Sequence, residues 1–202
     1  MTITVTQNLD HESLTRLADL RGKRWRYLGG PHVSNWMTDV SLIVATEESE
    51  LTISGEVDEL DFEGEQDSYS RLRVDQGAAD LAATTESGHR YYFHAGEEVR
   101  DVLIVQETVR QVSYGQPTWT YTNDIAIVFA LRTGAIALAQ VSHHSELLGV
   151  VQAADVQALK IEEPSHIWTD KLGVEHHFTR DTIPIRDLLG HPPSDGQPTS
   201  RT

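Results

Sequence analysis

The residues of this chain best suited to chemistry are its histidines, because imidazole is the commonest metal ligand and titrates near neutral pH. Six of the ten lie in or beside strand-like segments: His89, His94, His143, His144, His176 and His177. Adjacent residues of a strand point to opposite faces, so neither neighbouring pair can hold one ion from a regular strand. We therefore predict hydrogen-bonded or solvated surface histidines and no metal site.

The segment around His94 is the best candidate for a small-molecule site. With Gly88 and Glu98, His94 resembles the cupin metal motif G-x5-H-x-H-x3-4-E, but Gly96 stands where that motif has its second histidine. The resemblance therefore implies neither a metal nor a cofactor. A β-barrel that binds a small ligand, or a β-barrel enzyme, is the alternative function, with a pocket formed by His94, Glu98, Tyr91, Phe93 and Trp119.

Other common catalytic and cofactor-binding motifs are missing from the sequence. There is no cysteine, which excludes disulfides, thiolate metal ligands and a cysteine nucleophile. There is also no glycine-rich phosphate loop and no G-x-S-x-G nucleophile turn. We predict no catalytic residue, and the chain as a whole favours a protein that is not an enzyme.

Acidic residues are concentrated in one window, residues 47–67, which contains ten carboxylates and no lysine or arginine. A calcium loop starting at Asp58 would need oxygen ligands where Leu60 and Phe62 stand, so an EF-hand is excluded. In one interpretation, Leu60 and Phe62 point inward and the acids simply face water. In the other, the acids bind a basic partner through Asp58, Asp61, Glu63, Glu65 and Asp67.

The formal net charge of −15 supports the second interpretation and excludes two partner classes. A surface of that sign repels the phosphates of nucleic acids and of anionic lipids, so neither nucleic acid nor membrane is expected as a partner. We predict a non-catalytic binding protein of the inhibitor, immunity-protein or adaptor type that docks on a basic protein. Homo-oligomerisation through exposed strand edges is a third alternative.

One basic and aromatic segment, residues 23–27, has the opposite character. It contains Lys23, Arg24 and Arg26 around Trp25, a composition that is favoured in binding hot spots. The alternative is that the segment is the end of a helix followed by the first strand of the main body. In that case Trp25 belongs to the core.

The elements that position these residues are mostly strands. A helix is predicted over residues 10–21, with Asp10 as its N-cap and Gly22 beyond its end. Alternating apolar residues predict strands from residue 36 onward, and the clearest hairpin joins residues 125–131 to 135–141 through a turn at Gly134. Both of its faces are apolar, which places it centrally in a sheet. We predict a mainly β fold, a barrel or a sandwich of antiparallel meanders, with one N-terminal α-helix and one or two short helices.

The same patterns predict one domain over residues 1–190 and a disordered tail over 191–202, which is rich in proline and polar residues. The first residues lack the apolar run of a secretory signal, and no stretch reaches the roughly 18 apolar residues of a membrane span. Together with the lack of cysteine, this predicts a cytoplasmic protein.

Overall fold

A computed structural model describes residues 2–30, 38–62, 65–77, 89–162 and 172–190; for residues 62, 65 and 66 only the backbone is described. The described elements, in chain order, are β1 (Ile3–Gln7), α1 (His11–Ala18), β2 (Trp25–Gly30), β3 (Thr38–Asp39), β4 (Ser41–Thr46), β5 (Glu50–Phe62), β6 (Glu65–Gln76), β7 (His89–Tyr91), β8 (Val99–Ser113), β9 (Gln116–Leu131), β10 (Ala135–Gln140), β11 (Leu148–Ala153), β12 (Val174–Pro184) and α2 (Ile185–Leu189). The predicted tail, residues 191–202, lies outside the described residues.

The strands form two sheets that pack in a sandwich-like arrangement and do not close into a barrel. Sheet I has the order β12-β8-β9-β10-β11-β3, and β1 joins it as a parallel neighbour of β9. Sheet II has the order β6-β5-β4-β2-β7. The prediction of a mainly β fold with an N-terminal helix is confirmed, and of its two architectures the sandwich is the one observed.

The main core lies between the sheets and beneath α1. Trp25 is fully buried and packs on Phe129, with ring centroids 5.3 Å apart. Leucine, isoleucine and valine side chains of both sheets complete the cluster, including Leu42, Ile53 and Ile127. Trp25 opens β2 and is buried, so its predicted place in the core is confirmed. The helix ends earlier than residue 23, at Ala18, and β2 is the second strand of the chain, because β1 precedes it.

Helix α1 starts where the sequence predicts and ends earlier. Its N-cap is Asp10, whose Oδ1 accepts a hydrogen bond from the Ser13 amide at 2.7 Å. The helix ends at Ala18 and not at residue 21, because the next amides bond three residues back and Gly22, with φ of +81°, donates instead to Val99 O in β8. The pairing with β8 thus competes successfully with the last helical turn.

The central hairpin of sheet I is also confirmed, but β9 begins at Gln116, nine residues before the predicted start. Its first half pairs with β1 and its second half with β10, so one strand serves two neighbours on the same side. In the pairing of β9 with β8, the register shifts between Val105 and Gln106. Ile125, which lies between the two halves of β9, therefore has no partner residue in β8. The sequence of residues 146–163 is compatible with both a helix and a strand; the structure has strand β11 over Leu148–Ala153 and neither element over residues 154–162, where Val156, Leu159 and Ile161 pack over the second face of sheet I.

Candidate docking surface on the β5–β6 hairpin

Strands β5 and β6 form a long hairpin that extends past the rest of sheet II. They pair along their whole length, from Leu51–Gln76 to Phe62–Glu65. By contrast, β4 accompanies β5 only as far as the Ser41–Ser54 pair, followed by one further bond from the Gly55 amide to Val40 O at 3.1 Å. We call residues 56–62 and 65–71 the distal hairpin, since no other described strand of sheet II lies beside them.

The side chains of β5 alternate, but their surroundings change where β4 ends. Leu51, Ile53 and Gly55 are buried, whereas Val57, Glu59 and Asp61, on the same face, are exposed. On the opposite face, Leu60 packs with Tyr69 against a separate cluster that includes Trp119 and Tyr121 of sheet I. The prediction that Leu60 points inward and Asp61 outward is therefore confirmed, while the side chain of Phe62 is outside the description.

The predicted partner-binding acids differ in their surroundings. Asp61 and Asp67 are exposed. Burial raises the pKa of Tyr69, and the neighbouring Asp67 carboxylate raises it further. Asp58 is half-buried, and its Oδ2 lies 3.0 Å from Arg71 Nε and 3.5 Å from Gln7 Nε2. Glu63 and the side chain of Glu65 lie outside the described residues.

Two arginines that follow the acidic window neutralise part of it. Antiparallel pairing sets Glu56 opposite Arg71, and their charged atoms are 3.0 Å apart. Arg73 bonds the same carboxylate at 3.0 Å and Asp75 at 2.8 Å. Glu56 and Asp58 are thus paired within the hairpin, and the exposed carboxylates lie further towards its end. Glu59 is exposed there, although the sequence analysis did not select it.

A groove of about 470 Å³ lies where β4 leaves β5. Its lining residues are Val40, Ser41, Ser54, Gly55, Glu56, Val57, Asp58 and Glu146. We call it the edge groove. Two of its valines, Val40 and Val57, are among the exposed large apolar residues of the chain, with 40% and 36% exposure, so the groove combines apolar surface with carboxylates.

The edge groove is bounded by the loop after β10, residues 141–147, which rests on the hairpin. A side chain at Gly55 would collide with the carbonyl of Glu146, so only glycine allows this approach. The Ser70 amide donates to His143 O at 2.6 Å, and His144 Nδ1 lies 2.6 Å from Ser68 O. The loop therefore fixes the position of the distal hairpin on the molecule.

The loop is held in turn by a buried ionic cluster. His143 Nε2 lies 2.7 Å from Glu107 Oε1, and Arg180 Nε lies 2.5 Å from Glu107 Oε2. Burial raises the pKa of Glu107, but the hydrogen bonds from His143 and Arg180 and the arginine charge outweigh it, so the net shift is downward. His143 was predicted at the surface and is instead buried, because Glu107 supplies its ring with a charged partner.

Of that cluster, Glu107 was missed by the sequence analysis. The signal available was a carboxylate in the middle of a long apolar strand, since a buried acid needs a partner. The partner itself could not be read from the sequence, because His143 and Arg180 are 36 and 73 residues away.

The residues of the alternative pocket are divided between two clusters. Tyr91 and Phe93 stack with centroids 5.4 Å apart and pack against the main core, whereas Trp119 belongs to the cluster of Tyr69 and Tyr121. Glu98 is exposed, and its backbone bridges to Arg24. The structure therefore does not place Trp119 with the other aromatic residues predicted to form this pocket.

His94 has a carboxylate partner, but it is Glu97 and not Glu98. The distance from His94 Nδ1 to Glu97 Oε1 is 3.1 Å. Glu97 also accepts hydrogen bonds from the Thr133 hydroxyl and, at 2.8 Å, the Thr133 amide, and these bonds lower its pKa to about 2. This group ties the loop before β8 to the β9–β10 turn. No group of three or more metal-ligating side chains occurs in the described part of the chain.

Comparison of the chain with protein-family models, with curated proteins and with solved structures found no match. Among the described residues, neither helix has the length and apolar character needed to cross a membrane.

Proposed function

We propose that this protein is a non-catalytic binding protein of the inhibitor, immunity-protein or adaptor type, and that its distal hairpin docks on a basic protein. The observation that supports the proposal most directly is the exposure of Glu59 and Asp61 on a hairpin that extends beyond the rest of its sheet. Asp67 is also exposed, but it pairs with Leu60 and therefore lies on the opposite face of the hairpin.

Electrostatics explains why such a surface suits a cationic partner. A chain of net charge −15 repels itself, and a further cluster of exposed carboxylates increases that repulsion unless a cation lies nearby. Arg71, at the base of the distal hairpin, and Arg73, just beyond it, relieve this repulsion for Glu56 and Asp58. The exposed carboxylates of the distal hairpin would attract a partner's lysines and arginines over about 10 Å at ordinary ionic strength.

Exposed acids on a strand edge also have a purely protective use, because charge discourages unwanted strand pairing. The two roles make different predictions. Protection depends on charge of either sign at the edge, whereas docking requires negative charge at these positions and must weaken as salt is added.

The test is a comparison of three baits that differ only in charge placement. The natural chain, a Glu59→Gln/Asp61→Asn variant and a Glu162→Gln/Glu175→Gln control are immobilised and exposed to host extract, and captured proteins are quantified by mass spectrometry. The control removes the same two charges from exposed positions away from the hairpin. We expect a basic protein to bind the natural chain and the control and to be lost from the hairpin variant and at high salt.

Equal capture by all three baits, or capture that ignores salt, would contradict the proposal. The three baits must first give matching circular dichroism spectra and unfolding midpoints, so that lost capture reports the surface and not the fold.

A further inference from the structure

We propose that the partner docks by adding an extended, basic segment as a new strand to the edge of β5 that no described strand covers, alongside Val57 and Glu59. This inference rests on the proposed function and specifies the form of the partner. It concerns the geometry of the backbone, whereas the proposed function concerns charge alone.

The backbone of β5 points toward the missing neighbour at alternate residues. The Gly55 amide donates to Val40 O on the β4 side, so the amides and carbonyls of Val57 and Glu59, two and four residues further, face the same side. Nothing described bonds those groups there. The reason is the path of the chain, since residues 38–39 leave sheet II to pair with β11 in sheet I.

The other edge of the hairpin, on β6, is protected in a way that the β5 edge is not. The Ser70 carbonyl accepts hydrogen bonds from Asn123 Nδ2 at 2.9 Å and from Gln140 Nε2 at 3.1 Å. The Val74 carbonyl accepts one from Arg16 at 2.7 Å, and Ser68 and Ser70 are engaged by the 141–147 loop. Because an open edge invites pairing, the contrast selects the β5 edge as the docking position.

Side chains beside this edge define what kind of strand fits. A strand paired with β5 sets its alternate residues next to Val57, Glu59 and Asp61, all of which are exposed. Lysine or arginine suits the two acidic positions, and an apolar residue suits Val57. The edge groove lies at the near end, between Val40 and Val57, and is large enough for that apolar side chain.

Backbone pairing and charge then have separate roles. The hydrogen bonds of an added strand give affinity for any extended chain, whereas side chains at alternate positions select among sequences. An acidic strand is repelled by the exposed carboxylates, and a neutral strand gains no charge attraction from them. The same acids that discourage aggregation therefore favour a basic segment.

The experiment uses the full chain and a synthetic heptapeptide, Lys-Thr-Lys-Thr-Val-Thr-Lys, as the probe; when it pairs antiparallel with β5, its first and third residues lie beside Asp61 and Glu59 and its valine lies beside Val57. Two further peptides carry N-methyl groups on alternate residues, one at the odd-numbered and one at the even-numbered positions, so one of them blocks the pairing edge with charge unchanged. We expect the unmodified peptide to bind at low salt, one N-methylated peptide to lose binding, and the Val57 and Glu59 amides to gain protection from hydrogen exchange.

Two variants separate backbone from charge. Glu59→Pro removes both the charge and the amide hydrogen of residue 59. Because that amide faces away from β6, the hydrogen bonds between β5 and β6 are kept. Glu59→Gln removes the charge alone. We expect Glu59→Pro to bind the peptide roughly tenfold more weakly than Glu59→Gln, which corresponds to one hydrogen bond.

Three results would overturn strand addition: equal binding of all three peptides, unchanged exchange at Val57 and Glu59, or no binding by any peptide. The proposed function is judged separately by the bait comparison. If capture depends on Glu59 and Asp61 while N-methylation has no effect, the charge-based proposal stands and the added strand is wrong. The exchange measurement needs no variant, so a misfolded Glu59→Pro protein leaves the test intact.

Discussion

Two buried carboxylates, Glu107 and Asp124, show how much a single partner matters. Glu107 faces the guanidinium of Arg180 and the ring of His143, and its pKa is lowered. The described hydrogen-bond donors to Asp124 are both neutral, the Leu9 amide at 2.8 Å and Gln106 Nε2 at 3.0 Å, and burial raises its pKa. The same chemical group is thus stabilising in one place and costly in the other.

Replacing Glu107 by glutamine removes the charged partner of the buried His143 and of Arg180, whose side chain is 22% exposed. We expect Glu107→Gln to lower the free energy of unfolding by about 1.5–3 kcal/mol, because hydrogen bonds to a charged group are lost. Urea denaturation measures this, with Asp181→Asn as the control, since Asp181 is the exposed neighbour of Arg180 on β12. A loss below about 1 kcal/mol would mean that the cluster is not a fixed ion pair.

Asp124 predicts the opposite result. The raised pKa means that the folded protein binds this proton more tightly than the unfolded chain does. The contribution of Asp124 to the free energy of unfolding is therefore most favourable below pH 3.8, the unfolded value, and is lost as the pH rises through the folded value. Asp124→Asn removes that dependence. We expect it to be as stable as the natural chain or up to about 1 kcal/mol more stable at pH 7, with the difference disappearing below pH 3.8. Urea denaturation across pH decides; a less stable variant at pH 7 would contradict the assignment.

At the scale of elements, the 141–147 loop and β5 depend on one glycine. Gly55→Ala places a methyl group against the Glu146 carbonyl, and either the loop or the strand must move. We expect a loss of about 1–3 kcal/mol together with faster hydrogen exchange at Ser70, whose amide bonds His143 O.

Gly149→Ala is the matched control for this loop, because a methyl group on that strand glycine meets its neighbours only at ordinary contact distances, 3.5 Å and longer. If the two alanine variants unfold at the same urea concentration, the loop does not rest on β5 as described.

Elements with local signals were predictable, and those set by remote partners were not. The cap at Asp10 and the turn at Gly134 follow from neighbouring residues, so the start of α1 and the β9–β10 hairpin were predicted correctly. The early end of α1 was not, because Gly22 bonds a strand more than seventy residues away. The acidic window was likewise visible, but its neutralisation by Arg71 and Arg73 depends on the β5–β6 register.

The candidate surface shows the same division. Of the acids predicted to bind a partner, Asp61 and Asp67 are exposed, whereas Asp58 is paired with Arg71; the exposed Glu59 was overlooked. Strand alternation predicts which residues share a face, but only the end of β4 decides where that face passes from core to solvent.

At the scale of the whole molecule, the charge of −15 predicts a dependence of stability on salt. Screening weakens repulsion among exposed carboxylates more than it weakens buried pairs such as Glu107–Arg180. We expect the melting temperature to rise as sodium chloride is added, and Glu59→Gln to raise it slightly at low salt but not at high salt. Differential scanning calorimetry provides both values, with Glu162→Gln as the control; a natural chain destabilised by salt would show that attractive surface pairs dominate.

The passage from β3 to β4 has a consequence for how this protein moves. Asp39 belongs to one sheet and Ser41 to the other, so Val40 alone joins the two layers at that point. Two residues of extended chain span about 7 Å, which leaves no slack for the layers to slide or hinge apart there. We therefore expect the sandwich to respond to a bound molecule as a rigid body, with any adjustment confined to the far end of the β5–β6 hairpin.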